Sequence, residues 1–159
     1  MITQELTYRQ IAAFLHLEAR LADENDYDAW EALWTDDALY WVPAGEPADP
    51  MTQMQVIYDN RSRIATRIAQ LKTGKRYTQA PPSRMRRLIS NIETVGQDGP
   101  DAVVEANFLL VEGRERGNVM WAGRTTYRLR PMDGQIKLAY KKVSLVNSAD
   151  PLPSLGFLI

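Results

Sequence analysis

The second half of this chain reads as four long strand-like runs punctuated by glycine, and that pattern restricts the fold more than any other feature. The runs are Leu88 to Val95, Ala102 to Val111, Val119 to Arg130 and Gln135 to Val146. Between them lie Gly96-Gln97-Asp98-Gly99, Gly113 to Gly117, and Pro131-Met132-Asp133-Gly134, which have the residue chemistry of hairpin turns. Strands joined by such short turns pair antiparallel, because a parallel return needs a crossover of about a dozen residues or more. Val104, Ala106, Phe108 and Leu110 alternate, so they share one face of the second run. In the last run the apolar parity changes, from Ile136, Leu138 and Tyr140 to Val143 and Leu145. A shift of one residue turns every later side chain over, so a β-bulge is predicted near Lys141-Lys142.

The first half has helical spacing instead. Thr7 and Gln10 fit a capping box, after which Ile11, Phe14, Leu15, Leu21 and Ala22 fall on one side of a helix. A second short helix follows Asp26, with Trp30, Leu33 and Trp34 as its apolar face, and ends at Asp36-Asp37. Ala38 to Val42 reads as a strand stopped by Pro43, and residues 43 to 50, with three prolines and a glycine, as a surface loop. A third helix, roughly Asp59 to Thr73, would bury Ile64, Ile68 and Leu71 and stop at Gly74. Helices first and a meandering antiparallel sheet second make an α+β fold, and 159 residues fit one domain over residues 1–159.

The chain has no cysteine and a single histidine, His16. Disulfides, zinc–thiolate sites and cysteine nucleophiles are therefore excluded together. A formal net charge of −1 gives no field to attract nucleic acid or anionic lipid. The start, Met1-Ile2-Thr3-Gln4-Glu5, lacks a basic segment followed by an apolar run, and no apolar stretch approaches bilayer-spanning length. A cytoplasmic protein with no membrane and no nucleic-acid partner is expected.

A few side chains carry chemical potential. Glu18 projects from the middle of the first helix's apolar stripe, between Ile11, Leu15 and Ala22. A buried carboxylate needs a partner or a proton. It is therefore either half of a structural ion pair, with Arg124 as the expected cation, or a general base in an internal cavity. His16 lies off that stripe, a solvent-facing position. Arg84, Arg86 and Arg87 form a short basic run without interleaved aromatics, which suits a protein interface better than a nucleic-acid patch. Trp30, Trp34, Trp41 and Trp121 are expected in the core. The glycine-containing turns lack the strand-to-helix setting of a phosphate loop.

Several blocks, in order, closely resemble the small (beta) subunits of bacterial aromatic-ring-hydroxylating dioxygenases. They are Glu18-Ala19-Arg20-Leu21 with Asp23 and Trp30; Asp36-Asp37 with Tyr40-Trp41-Val42-Pro43; Tyr58-Asp59-Asn60-Arg61; and Pro81-Pro82-Ser83-Arg84-Met85-Arg86-Arg87 running to Asn91-Ile92. Gly123-Arg124, Lys141-Lys142-Val143 and the tail from Pro151 to Gly156-Phe157-Leu158-Ile159 complete the set. One departure is Arg87, where many members of the family carry a histidine. The resemblance implies the cone-shaped fold of nuclear transport factor 2, with a curved sheet around the first helix. It also implies a chain without catalytic, cofactor-binding or metal-binding residues of its own, in an assembly of three alpha and three beta subunits. The alpha partner would carry the Rieske 2Fe-2S cluster and the mononuclear iron that turn an aromatic ring into a cis-dihydrodiol, and a beta homotrimer would hold the alpha subunits together. The ligand count agrees: a Rieske centre takes two Cys and two His, and a non-haem oxygenase iron two His and a carboxylate. Arg84, Arg87, Phe157, Leu158 and Ile159 are then the expected subunit-interface residues. The rival reading is a stand-alone isomerase or dehydratase of the same cone fold, with Glu18 and Tyr40 or Tyr58 acting in an open polar cavity.

Overall fold

The computed structural model describes residues 4–46, 49–74, 83–150 and 155–159. Helix α1 (Tyr8–Asp23) opens on the expected capping box: the Thr7 hydroxyl accepts from the Gln10 amide at 3.2 Å, and the Gln10 side chain accepts from the Thr7 amide at 2.9 Å. Its buried stripe holds Ile11, Phe14, Leu15, Glu18, Leu21 and Ala22, while His16 faces solvent. Helix α2 (Tyr27–Glu31) is shorter than the apolar spacing suggests. Trp34 already begins strand β1 (Trp34–Pro43), and Asp36-Asp37 lie inside that strand rather than ending a helix. Asp37 is held extended by Arg130, whose NH1 donates to it at 2.9 Å while Nε donates to Asp101 at 2.6 Å.

Strand β2 (Gln55–Asn60) has no counterpart in the sequence reading, which places Asp59 in a helix. Helix α3 (Arg61–Lys72) starts two residues later because the Asn60 side chain caps it, accepting from the Arg63 amide at 3.0 Å. It buries Ile64, Ile68 and Leu71, and Gly74 follows in the left-handed region, as expected. The Pro81-Pro82 pair lies outside the described residues.

The remaining strands are β3 (Arg84–Asp98), β4 (Asp101–Arg114), β5 (Gly117–Met132) and β6 (Gln135–Leu145). They form the antiparallel meander that the turns require, and Asp133 and Gly134, both at positive φ, close the β5–β6 hairpin. The six-stranded sheet runs β2-β1-β6-β5-β4-β3, with β1 antiparallel to β2 but parallel to β6. It is therefore mixed rather than wholly antiparallel. No short turn joins β1 to β6, so turn chemistry has no say in their direction. Helices pack on the inner face, over Val104, Ala106, Phe108 and Leu110 of β4 and Trp121, Tyr127 and Leu129 of β5. No helix among the described residues is long and apolar enough to cross a membrane.

Two irregularities shape the inner face. The β5–β6 register passes from Arg128↔Tyr140 to Leu129↔Leu138, leaving Ala139 as the extra residue of a bulge two positions before the predicted site. Gly123, paired with Leu145, has the inward parity of Trp121 and Thr125. A Cβ there would collide with the Ser144 carbonyl oxygen and come within 3.1 Å of the Leu145 Cα, both backbone atoms that cannot rotate away. Gly123→Ala is expected to destabilise the chain by about 1–3 kcal/mol, the usual range for overpacking. Urea unfolding checks it, and a loss below about 0.5 kcal/mol would mean that the two strands can part freely.

Candidate functional site

The bulge at Ala139 decides what α1 meets. Beyond it the inward parity passes from Leu138 to Lys141, Val143 and Leu145, while Tyr140 and Lys142 turn outward. Lys141 is thereby driven into the core at 2% exposure, directly under Glu18 at 1%. Its Nζ donates to Glu18 Oε1 at 2.5 Å, and the Trp30 indole N–H donates to the same oxygen at 3.0 Å. Burial alone would raise the pKa of Glu18. The positive charges of Lys141 and Arg87 and the two hydrogen bonds outweigh burial, and hold the carboxyl below its ordinary value of 4.5. Burial also loosens the Lys141 proton against the attraction of Glu18.

The expected pairing of Glu18 with Arg124 is therefore corrected: Glu18 does form a buried ion pair, but with Lys141. Arg124 sits between the inward-facing Gly123 and Thr125, so it points out of the opposite face of β5. There it binds Glu93 at 3.3 Å, Glu105 at 3.4 Å and Asn107 at 2.9 Å.

Arg87 is also not where a basic surface run would put it. Its side chain is 3% exposed; Nε donates to Asp23 Oδ1 at 2.7 Å, and its backbone amide to Oδ2 at 2.9 Å. NH2 donates to the Leu158 carbonyl at 2.7 Å. Beside it, the Tyr40 hydroxyl donates to Ile159 O at 2.8 Å and accepts from Ile159 N at 3.0 Å. Phe157 packs edge-on against Trp121, with centroids 5.4 Å apart. Phe157, Leu158 and Ile159 are all buried within their own chain, so neither they nor Arg87 form an exposed interface patch. The apolar tail has a use inside the fold: it packs in the core against Trp121 and is bonded by Tyr40 and Arg87. Arg84 remains exposed on β3, lining a groove of about 640 Å³ with Asp23, Glu24, Ser83 and Arg86.

Trp30, Trp34 and Trp121 are core residues, as expected, while Trp41 is half-buried on the outer face. Tyr58 stacks edge-on against Trp41 at 5.7 Å, on the side of the sheet away from Glu18. The Glu18–tyrosine constellation of a cone-fold enzyme does not form: Tyr58 is outside, and Tyr40 is engaged by Ile159. A further buried carboxylate, Glu112, escaped the sequence reading. It accepts from Ser83 at 2.6 Å, Arg114 at 2.8 Å and Trp121 at 3.2 Å. Its position alternates with buried Leu110, the one signal that could have found it. Chemically, the Glu18 cluster is a neutralised, water-excluded ion pair, not a base facing a substrate. No group of three or more metal-ligating side chains converges among the described residues.

A family model for the ring hydroxylating beta subunit matches residues 17–149. The chain belongs to that family. The benzoate 1,2-dioxygenase beta subunit of Acinetobacter baylyi is 29% identical over 148 residues, spanning 89% of this chain and 88% of its own length. The 3-phenylpropionate/cinnamic acid dioxygenase beta subunit of Photorhabdus laumondii is 32% identical, over 77% of this chain and 73% of its own. The crystal structure of the benzoate 1,2-dioxygenase beta subunit from Burkholderia mallei superposes with a TM-score of 0.81 at 26% identity, covering 98% of this chain and 99% of that one. The cone-type α+β fold expected from the resemblance is thus shown. In this ring hydroxylating beta subunit, Glu18, Asp23, Arg87, Glu112 and Lys141 all lie inside the family-matched range, and Leu155–Ile159 lie beyond it.

Proposed function

We propose that this chain is the structural small subunit that holds three catalytic alpha subunits in an alpha3beta3 dioxygenase, forming a beta homotrimer in the cytoplasm. It is read as one domain over residues 1–159, with no nucleic-acid or membrane partner. The observation that carries the proposal is a division of labour between the two faces of the sheet. Among the described residues the inner face carries α1, the Glu18–Lys141 pair and the chain's own tail, and Glu18, 1% exposed, is engaged by Lys141 and Trp30 rather than turned to a substrate. The outer face leaves apolar side chains in water: Leu88 pairs with Leu109, Leu109 with Ala122, and Val146 bonds Ala122, with Met120 in the next row. Leu88, Met120 and Val146 are each more than 60% exposed, a cost that a contact with another subunit would remove. A three-fold ring of identical chains uses such head-to-tail surfaces. The Rieske 2Fe-2S cluster and mononuclear iron belong to the alpha subunit, where the ligands they require can be supplied.

The test is co-expression with a catalytic alpha subunit, followed by light scattering and iron analysis. A hexamer is expected, with iron only in alpha-containing fractions, and a trimer for the small subunit alone at high concentration. Leu88→Glu combined with Leu109→Glu should dissociate the trimer while leaving the circular dichroism intact. A beta chain that stays monomeric at every concentration and fails to co-purify with alpha overturns the proposal.

A further inference from the structure

The loop at 49–54 holds its two methionines out in water. Met54 is 90% exposed and Met51 87%. Asp49 organises the turn that carries them: its Oδ1 accepts from the Met51 amide at 2.9 Å and its Oδ2 from the Thr52 hydroxyl at 2.8 Å. The Gln53 amide donates to the Asp49 carbonyl at 3.0 Å, and the Gln53 side chain accepts from the Asp49 amide at 3.2 Å. Gln55 ties the loop to the sheet, since its Nε2 donates to the Gln53 carbonyl at 3.0 Å and its Oε1 accepts from the Trp41 indole at 2.7 Å. These bonds fix the loop without covering either methionine. A loop ordered in advance loses little conformational freedom when it docks.

The second uncovered place is the outer-face patch of Leu88, Leu109, Met120 and Val146. Val146 is 80% exposed and Met120 69%, so the four most exposed large apolar side chains among the described residues all fall in the loop or the patch. The arginines and lysine of the outer face have partners already: Arg124 with Glu93 and Glu105, Arg128 with Asp98, and Lys142 with Glu46. The patch spreads over neighbouring strands, whereas the loop projects unbranched thioethers, which adapt to an irregular apolar surface. A two-fold contact sets one surface against itself. A three-fold ring sets one surface of each chain against a different surface of the next, so each chain must carry two that fit each other. Loop and patch are such a pair.

We infer that Met51 and Met54 of one copy seat on the Leu88–Leu109–Met120–Val146 patch of the next, closing a head-to-tail ring of three. This contact rests on the beta homotrimer proposed above and names its two sides: the patch receives a second copy of this chain, not the alpha subunit. Each chain gives its loop once and receives one once, so the closed ring leaves neither surface in water.

The absence of native cysteine permits a direct test on the full-length chain. Single thiols are introduced at exposed positions, by Met54→Cys in one protein and Val146→Cys in another. The two are mixed at low concentration to exchange subunits, concentrated, and treated with a short bis-maleimide crosslinker. A covalent dimer is expected from the mixture and from neither protein alone, because the contact joins unlike surfaces. Met132→Cys, at the far end of β5 from Met120, should not link to position 54. Met54→Glu and, separately, Leu109→Glu should each raise the trimer's dissociation midpoint at least about 10-fold with unchanged circular dichroism, as loss of a central apolar anchor does. Mixed together, those two variants share one intact interface and should recover a dimer. Met51→Glu gives a second reading if Met54→Glu does not fold. The inference is overturned if a trimer or an alpha3beta3 assembly forms without the 54–146 link, if Met54→Glu leaves the trimer unchanged, or if the thiol at 54 links to the alpha subunit instead. The assembly role survives those results, whereas a chain that stays monomeric with and without alpha removes both.

Discussion

Lys141→Met is expected to cost about 3–5 kcal/mol of stability, because it strands the Glu18 carboxylate in the core with Trp30 as its one remaining direct donor among the described residues. The pair itself contributes much less than that loss suggests. Desolvating two charges offsets most of their attraction, so the double variant Glu18→Leu with Lys141→Met should recover most of the stability. Urea unfolding of the two single variants and the double variant measures the coupling directly. Additive losses, with the double variant worst of all, would sink the idea that the pair acts as a unit. The pH dependence provides a second check with a definite sign. In the native protein the pKa of Glu18 is held below 4.5, so its stabilising contribution is complete above that pH and disappears as pH falls through the folded value. In Lys141→Met, burial is opposed only by Arg87 and Trp30, and the carboxyl's pKa should rise above its unfolded value. Mild acid should then recover stability in the variant while weakening the native protein.

Arg87→Ala should also act through the fold rather than through assembly. It removes a guanidinium that is 3% exposed from an Asp23 carboxylate that is 4% exposed, and it frees the Leu158 carbonyl of its donor. A loss of about 3–5 kcal/mol is expected, the usual consequence of leaving one partner of a buried pair behind. Arg84→Ala, on the exposed side of the same strand, should change the thermal midpoint little, within about 0.5 kcal/mol of stability. A normal midpoint for Arg87→Ala, with failed co-assembly alone, would return Arg87 to the interface role that the sequence suggests. For Arg84, an interface role predicts an effect only in hexamer yield with the alpha subunit, and an unchanged yield in Arg84→Ala would remove it from the interface.

Features set by neighbours in the chain were legible without coordinates. The Thr7–Gln10 cap, the stop at Gly74, the hairpin turn at Asp133-Gly134 and the burial of Val104, Ala106, Phe108 and Leu110 all follow from residues within a few positions of one another. The family was legible too, because its blocks are strings of adjacent residues. The candidate site was legible only in part. That Glu18 is buried follows from helical spacing; whether it is paired or protonated, and by which cation, does not. Leu138-Ala139-Tyr140 is apolar throughout, so the parity break can be satisfied by a bulge at any of several positions, and a slip of two residues decides whether Tyr140 or Lys141 enters the core. Sequence spacing is equally silent on Arg87, because what matters is that Asp23 ends α1 beside β3, 64 residues away. The tail's apolar residues state only that they need cover; a neighbouring subunit or the chain's own interior would serve equally well by burial alone. Only the tertiary structure brings Tyr40, Arg87 and Trp121 to one place, and three hydrogen bonds and ring contacts there give the cover to the chain itself.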